Sequence, residues 1–148
     1  MTGLKVSEGV SSRDIKNAVE LLGSLPQVDL PVKHHFAPGV YVREIFMPAG
    51  SRVIGKVHKT RHLNIVISGK ITIWTVHGRM DITGPCTFES MGGVQKVLYM
   101  HTDCIYMTVH ANPDDETRDD IIEERVIMPS EQAELFPELN QFLVGEDK

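Results

Sequence analysis

Residues 50–69 read GSRVIGKVHKTRHLNIVISG, and this stretch decides the fold of the chain. It begins and ends with glycine and contains two histidines, His58 and His62. It is rich in valine and isoleucine, whose branched side chains favour strands. The stretch therefore predicts two β-strands, Arg52–His58 and His62–Ser68, joined by a tight turn.

Short strand-like segments continue on both sides of this stretch. Pairs such as Gly84-Pro85 and Gly92-Gly93 separate them as turns. No helical pattern lies between the segments, so they predict an all-β sandwich or barrel rather than βαβ units. The further predicted strands are Val40–Met47, Lys70–His77, Met80–Thr83, Thr87–Glu89, Val97–His101 and Cys104–His110.

The segment before the strands predicts one short amphipathic helix and an extended connector. Ser11 is a suitable N-cap, with Asp14 three residues later, and apolar residues then recur at helical spacing. We expect a helix over Arg13–Leu22 that packs on the outside of the strands. The prolines that follow prevent regular helix in the connector, at Pro26, Pro31 and Pro38.

The last part of the chain is acidic and predicted to be helical. Residues 111–148 hold 12 Asp/Glu and 3 Lys/Arg, whereas residues 1–110 hold 8 Asp/Glu and 12 Lys/Arg. Ile121, Ile122 and Val126 form a partial apolar face, and Ser130 is a suitable cap for a last helical stretch. We expect one globular domain in three parts: residues 1–35, the strands of residues 36–112, and the tail of residues 113–148.

Composition excludes several classes of protein. The net charge is -5, and no dense basic face is evident, so we expect no nucleic-acid binding. No apolar run approaches the roughly 20 residues of a membrane helix, and the first residues lack the apolar core of a signal peptide. We therefore expect a cytoplasmic protein without membrane contact. Its two cysteines, Cys86 and Cys104, are predicted to be reduced, buried thiols.

The central stretch resembles the first sequence motif of the cupin family, a glycine, a His-x-His pair, a glutamate and a closing glycine. Gly50 and Gly69 occupy the glycine positions, Lys56 the first histidine position, His58 the second, and His62 the glutamate position. A second motif of glycine, Pro-x-Gly, histidine and asparagine is matched more loosely. Its positions hold Gly84, Ser90-Met91-Gly92, Gln95 and Tyr99.

This resemblance covers residues 36–110 and implies a double-stranded β-helix, or jelly-roll barrel. The chain also looks like small single-domain cupin proteins that phages often encode. Strand alternation places a set of polar side chains on the barrel interior. The predicted ligand-binding residues are Lys56, His58, His62, Asn64, Gln95 and Tyr99, with His101 on the same face.

Two functions follow from this pocket. In the first, the protein binds a small anionic molecule without chemistry, and Lys56 either supplies a fixed cation or points to solvent. In the second, a metal-dependent isomerase, lyase or oxygenase holds Zn, Ni, Fe or Mn through His58, His62 and Gln95. Tyr99 or His101 then acts as the catalytic acid or base.

Two further features of the chain concern its assembly and its last predicted strand. Edge strands of a small barrel are commonly covered by another copy, so we expect a homodimer. His110 lies at the end of the last predicted strand, and we expect it on the surface.

Overall fold

The computed structural model describes residues 3–8, 11–25, 30–55 and 57–127. Within these ranges the chain forms ten strands and two helices. The strands are β1 (Gly3–Ser7), β2 (Val32–Ala37), β3 (Gly39–Met47), β4 (Arg52–Ile54), β5 (His62–Ser68), β6 (Lys70–Trp74), β7 (Arg79–Thr83), β8 (Cys86–Ser90), β9 (Val97–Met100) and β10 (Cys104–Asn112). The helices are α1 (Ser12–Ser24) and α2 (Asp119–Val126).

The strands form two antiparallel five-stranded sheets. Sheet A has the order β1-β7-β6-β9-β4, and sheet B has the order β2-β3-β10-β5-β8. The chain pairs as a nested hairpin: β3 with β10, β4 with β9, β5 with β8, and β6 with β7. An eight-stranded hairpin rolled in this way is a jelly roll. The predicted all-β jelly-roll fold is therefore confirmed.

Sheet A and sheet B each gain one strand that the sequence analysis did not predict. β1 pairs with β7, and β2 pairs with β3. β2 occupies part of the predicted connector, between Pro31 and Pro38, where helix is prevented but strand pairing is not.

Two predicted strands are shorter in the structure. β4 ends at Ile54, so the predicted strand over Arg52–His58 is wrong in its second half. β6 ends at Trp74, because the hydroxyl of Thr75 accepts hydrogen bonds from the next residues and starts a turn.

The first helix follows its prediction closely. The Ser11 side chain accepts a hydrogen bond from the Asp14 backbone nitrogen, at 3.1 Å. Ile15 is only 2% exposed, and α1 contacts β4 and β9 of sheet A. The N-cap and the outer position of this helix are thus both found in the structure.

The second helix, α2, covers one end of the barrel. Ile122 and Val126 are buried against Tyr41 of β3. The partial apolar face predicted for this part of the tail is therefore used for packing. The helical stretch predicted from Ser130 onward lies outside the described residues.

The space between the sheets has an apolar part and a polar part. Cys104 lies in the apolar part and is buried, as predicted. Cys86 is only half-buried and packs against the apolar part. The polar part lies toward α2 and includes His62 and His110. The apolar part contains Met47, Val66, Ile71, Ile73, Ile82, Phe88, Leu98, Met100, Cys104 and Tyr106.

Two glycines permit close contacts between chain segments. Gly69 has φ 99°, and a Cβ there would lie 2.3 Å from the Asp103 carbonyl oxygen. A Cβ on Gly92 would lie 2.5 Å from the Lys59 carbonyl oxygen. Both positions require glycine because a side chain would collide with backbone atoms. The contact at Gly92 brings the β8–β9 loop against the segment that carries His58.

Candidate metal centre

Three histidine side chains converge in the polar part of the barrel. The ring centroids of His58 and His62 are 4.3 Å apart, and each lies 5.0 Å from the ring of His110. One ring nitrogen from each residue lies within 4.8 Å of the other two. The cluster therefore has the residue types and the proximity of a metal site.

Strand register explains why two of these histidines meet. His62 begins β5, and β5 is hydrogen-bonded to β10 with Leu63 opposite Val109. His62 lies one residue before Leu63, and His110 lies one residue after Val109, so the antiparallel pairing brings them opposite each other. Both side chains project to the same face, because side chains alternate along a strand. They consequently meet as cross-strand neighbours on the barrel interior.

His58 reaches the cluster from the segment between β4 and β5. Its backbone carbonyl accepts a hydrogen bond from the Gly93 nitrogen at 2.9 Å. It also forms an isolated β-bridge with Ile127, just after α2. The Lys59 nitrogen donates to the Val126 carbonyl at 2.8 Å. The β8–β9 loop and the end of α2 together hold His58 in place.

Two ring orientations are fixed by hydrogen bonds to neighbouring residues. His62 Nδ1 donates to the Thr60 carbonyl at 2.8 Å, so the lone pair of this ring is on Nε2. His110 Nε2 lies 2.9 Å from the Thr108 hydroxyl. Such a bond on one nitrogen, with the other nitrogen free, is typical of metal-binding histidines.

The remaining ring nitrogens are buried without a partner. His58 Nδ1, His62 Nε2 and His110 Nδ1 have no hydrogen-bond partner among the residues the structure describes. A buried polar atom without a partner costs about 1–3 kcal/mol of stability. Each of these atoms belongs to the three-histidine cluster. The donor set therefore fits a metal ion bound among the three rings.

Burial keeps the three imidazoles neutral. It lowers the pKa of His58 from 6.5 to about 2 and that of His110 to about 4, with further lowering by the charges of neighbouring groups. Burial also lowers the pKa of His62, partly offset by its bond to Thr60. Neutral imidazole is the form that binds a metal ion, because protonation removes the lone pair.

Two buried cations lie near the cluster. The charges of Arg43 and Lys96 both depress the pKa of His58 and of His110. Arg43 forms a salt bridge with Glu123 of α2. Lys96 is 8% exposed, and burial lowers its pKa to about 8. The environment of the histidines is therefore positive rather than negative.

The residues predicted for the pocket have different positions in the structure. His58 and His62 come together, as described above, whereas Lys56 lies outside the described residues. Asn64 accepts a hydrogen bond from the Tyr106 hydroxyl at 2.6 Å and donates one to the Ser90 hydroxyl at 2.7 Å. The Asn64 side chain thus lies between the polar and the apolar part of the barrel, and both ends of its amide are hydrogen-bonded.

Gln95 lies in the β8–β9 loop and contacts the backbone near His58. Its amide nitrogen donates to the Gly55 carbonyl at 2.9 Å. The Gly55 nitrogen in turn donates to the Lys96 carbonyl at 2.9 Å. These bonds give Gln95 a role in holding the loop beside the segment after β4.

Tyr99 and His101 form a separate group on sheet A. Tyr99 alternates with Leu98 and Met100, which face the apolar part of the barrel, so its ring projects to the outer face. His101 packs edge-on against Tyr99, at 4.9 Å between ring centroids. Its Nε2 lies 2.7 Å from the hydroxyl of Thr72. The structure thus does not bring Tyr99 and His101 to the histidine cluster.

The prediction that His110 lies on the surface is wrong. Its exposure is 4%, because β10 continues to Asn112 and α2 packs over this end of the barrel. A usable signal was present, since His110 has the same strand parity as Cys104, which was predicted to be buried. The predicted strand ends at His110, and a terminal strand position was taken as exposed despite this parity.

Comparisons with known proteins find similarities among solved structures. No family model and no curated protein matches the sequence. Among solved structures, the chain is similar to an RmlC-like cupin from Shewanella frigidimarina, at 16% identity and a TM-score of 0.49 over 62% of this chain and 80% of that one. It is also similar to a cupin superfamily protein from Desulfitobacterium hafniense, at 9% identity and a TM-score of 0.49 over 72% and 97% of the two chains.

A third similar structure is the ectoine synthase of P. lautus, at 15% identity and a TM-score of 0.49, over 60% of this chain and 67% of that one. The jelly-roll fold that the cupin resemblance implies is confirmed by the strand pairing. The described residues include no helix long and apolar enough to span a membrane.

Proposed function

We propose that this protein binds a divalent transition metal through His58, His62 and His110 and holds a small anionic molecule beside it. The single observation that supports the metal is the convergence of three rings, each of which offers one ring nitrogen within 4.8 Å of the other two. Each of these rings also has a buried nitrogen without a hydrogen-bond partner among the described residues. The sequence-based proposal had two histidines and Gln95. Replacing the glutamine amide by a third imidazole gives a much stronger donor set for such an ion.

The chemistry of the donors narrows the choice of metal. Imidazole nitrogen suits Zn, Ni, Fe and Cu, whereas Mg and Ca prefer oxygen ligands. A bound ion of this kind would supply positive charge and Lewis-acid character to whatever molecule lies next to it. The chain itself holds two of the rings, through Thr60 and Thr108.

A reaction at this site is the second candidate function. Three protein ligands, rather than four, leave an open position of the kind that catalytic zinc sites keep. This supports an isomerase, lyase or oxygenase more than a purely structural metal. The identity of the acid or base in such a reaction stays a prediction, because Tyr99 and His101 lie on the outer face of sheet A.

Metal content tests the proposal directly. We expect protein purified without added metal, or reloaded with Zn²⁺ or Co²⁺, to hold one ion per chain by elemental analysis. Removing a residue that hydrogen-bonds to a metal ligand lowers the metal affinity about 10–100-fold. His110→Ala removes a proposed ligand itself, so we expect its metal affinity to fall by more than this.

His77→Ala is the matched control, because His77 is exposed in the turn between β6 and β7. Its metal content should equal that of the unmodified protein. Equal metal content in His110→Ala and His77→Ala, or no bound ion under either condition, would overturn the proposal. Homodimer formation and a cytoplasmic location remain predictions.

A further inference from the structure

We propose that the outer face of sheet A binds single-stranded nucleic acid, with bases stacked on Tyr99 and Trp74 and phosphates contacting the basic residues around them. This surface is separate from the histidine cluster, which lies between the two sheets. The inference therefore does not rest on the metal site proposed above. It also gives a role to Tyr99, which was predicted to line the pocket and lies outside it.

Strand alternation gathers the charged residues of sheet A on its outer face. Its five strands contain four basic residues and one acidic residue, Asp81. The residues next to them in sequence, such as Val53, Ile71 and Ile82, pack in or against the apolar part of the barrel. The charged side chains consequently point away from it, because successive side chains face opposite sides of a strand. The basic residues are Lys5, Arg52, Lys70 and Arg79.

Paired strands bring basic and aromatic side chains together on this face. Arg52 of β4 is opposite Tyr99 of β9, and its guanidinium carbon lies 5.3 Å from the centre of the Tyr99 ring. Arg79 of β7 is opposite Trp74 of β6, and its guanidinium carbon lies 5.8 Å from the Trp74 ring centre. Aromatic rings with arginine beside them are the groups that stack bases in proteins that bind single strands.

Tyr99 and Trp74 are placed to stack on consecutive bases. Tyr99 is opposite Thr72, and Trp74 lies two residues further along β6. Such diagonal neighbours are about 7–8 Å apart on one face of a sheet. Every base has an aromatic face, so two rings side by side hold an extended strand without selecting its sequence. A double helix offers no such faces within its length, because its bases are already stacked on one another.

Hydrogen bonds hold the surface around Tyr99 in place. The Thr72 hydroxyl donates to Asp81 at 2.7 Å, and His101 Nε2 lies 2.7 Å from the same hydroxyl. His101 in turn packs edge-on against Tyr99, at 4.9 Å between ring centroids. The Tyr99 ring is therefore oriented before a ligand binds, which lowers the entropy cost of stacking a base on it.

The basic residues leave charge available for phosphates. Arg52 and Lys70 are exposed and form no ion pair with a described residue. The net charge of the whole chain is -5, which alone disfavours such a partner. However, 12 of the 20 Asp/Glu lie in residues 111–148, outside the strands of sheet A. The attraction for phosphate is therefore local to this face.

Trp74 reports directly on this surface, because it is the only tryptophan of the chain. The probe is a short oligothymidine, added to the full chain at pH 7. We expect it to quench the fluorescence of Trp74 as a base stacks on the indole. The Kd of each variant is measured by the anisotropy of a fluorescein-labelled oligothymidine, which does not depend on Trp74.

Replacing Tyr99 tests the stacking. Tyr99→Leu should raise the Kd of the labelled oligothymidine at least about fivefold, the lower end of what one stacked base contributes. Tyr99→Phe keeps the ring and should bind like the unmodified protein. Phe46→Leu is the matched control, because Phe46 is 41% exposed on sheet B, and its Kd should not change.

Salt dependence tests the phosphate contacts. Each phosphate that a protein neutralises on a single strand adds about 0.7 to the slope of log Kd against log salt concentration. Arg52→Gln should lower this slope by about 0.7 over the range of about 50 to 200 mM NaCl. Arg61→Gln removes an exposed arginine beside sheet B and should leave the slope unchanged.

Three results would each overturn the inference. The first is no binding of oligothymidine to the unmodified protein. The second is the same Kd for Tyr99→Leu and Phe46→Leu. The third is displacement of labelled oligothymidine by inorganic polyphosphate, or by a duplex of the same length, as effectively as by the unlabelled single strand.

Circular dichroism checks the fold of each variant. If Tyr99→Leu does not fold, the quenching of Trp74 and the competition with polyphosphate in the unmodified protein decide the question. Oligothymidine must quench Trp74 and compete better than polyphosphate at equal phosphate concentration, or the inference is wrong.

Discussion

At the scale of single residues, the three neutral imidazoles make the stability of the metal-free protein depend on pH. The pKa of His58 is about 2 and that of His110 about 4 in the folded state, against an ordinary value of 6.5. Between these values the unfolded chain binds more protons than the folded one. The contribution of these histidines to the free energy of unfolding is therefore at its maximum above pH 6.5. It decreases as the pH falls toward the folded-state pKa values.

We expect the free energy of unfolding to decrease by about 1.4 kcal/mol per pH unit for each proton by which the two states differ. Urea denaturation of metal-free protein at several pH values between 7.5 and 5 measures this slope. His110→Asn removes one of these protons and should flatten the curve, whereas His77→Asn on the surface should not. A slope unchanged by His110→Asn would contradict the buried, neutral state of this ring.

His62 and His110 show what the sequence can reveal about single residues. His62 was predicted to face the interior from its position in the cupin-like motif, with Asn64 on the same face, and both residues are buried. His110 follows the same rule on β10, but its burial depends on α2, which is distant in sequence from β5. Burial that arises from a later element packing over a strand end is not encoded in the local pattern of the strand.

At the scale of elements, α2 packs beside the histidine cluster. Ile122 is 1% exposed and packs with Tyr41 and Val126, while Arg43 and Lys59 fasten the helix to the barrel. The Tyr41 ring is also stacked on His110, at 5.8 Å between centroids. The helix therefore stabilises the barrel end and one of the three clustered histidines together.

Ile122→Ala tests this role of α2. Removing three buried carbon atoms should lower the free energy of unfolding by about 2–5 kcal/mol. It should also speed the loss of bound Co²⁺ to a chelator, because the cover of the site is loosened. Ile121→Ala is the matched control on the same helix, since Ile121 is only half-buried. Equal metal loss from both variants would show that α2 does not limit access to the site.

The elements that the sequence predicted well are those with a clear local pattern. β5 has the predicted bounds, His62–Ser68, because apolar and polar residues alternate along it and glycine ends it. β4 is shorter than predicted, since the chain after Gly55 turns toward α2 to bring in His58. β2 was missed because prolines at both ends of a six-residue strand resemble a connector.

At the scale of the whole molecule, the outer face of sheet B exposes several large apolar side chains. On β5 and β10 the polar side chains face inward, and Leu63, Ile65, Ile105, Met107 and Val109 face outward. Leu63 is 47% exposed, and Phe46 and Ile67 are each 41% exposed. An exposed apolar sheet face of this kind commonly marks a contact between proteins.

A second copy of the chain is the partner that this face fits best. The outward side chains of β5 and β10 are all uncharged, so two copies can pack together over these strands without opposing like charges. A hollow of about 300 Å³ also opens on this face, lined by Pro31, Lys33, Glu44, Phe46 and Ile105. It offers a place for a side chain of the other copy.

Gel filtration with light scattering tests this arrangement. We expect a species of twice the 16.6 kDa chain mass for the unmodified protein. Leu63→Glu places a charge at the centre of the apolar face and should give a monomer, because desolvating an unpaired carboxylate costs several kcal/mol. Leu21→Glu is the control, since Leu21 is 61% exposed on α1, away from sheet B. A dimer that survives Leu63→Glu but not Leu21→Glu would place the interface on the helix side, and a monomeric unmodified protein would exclude the homodimer.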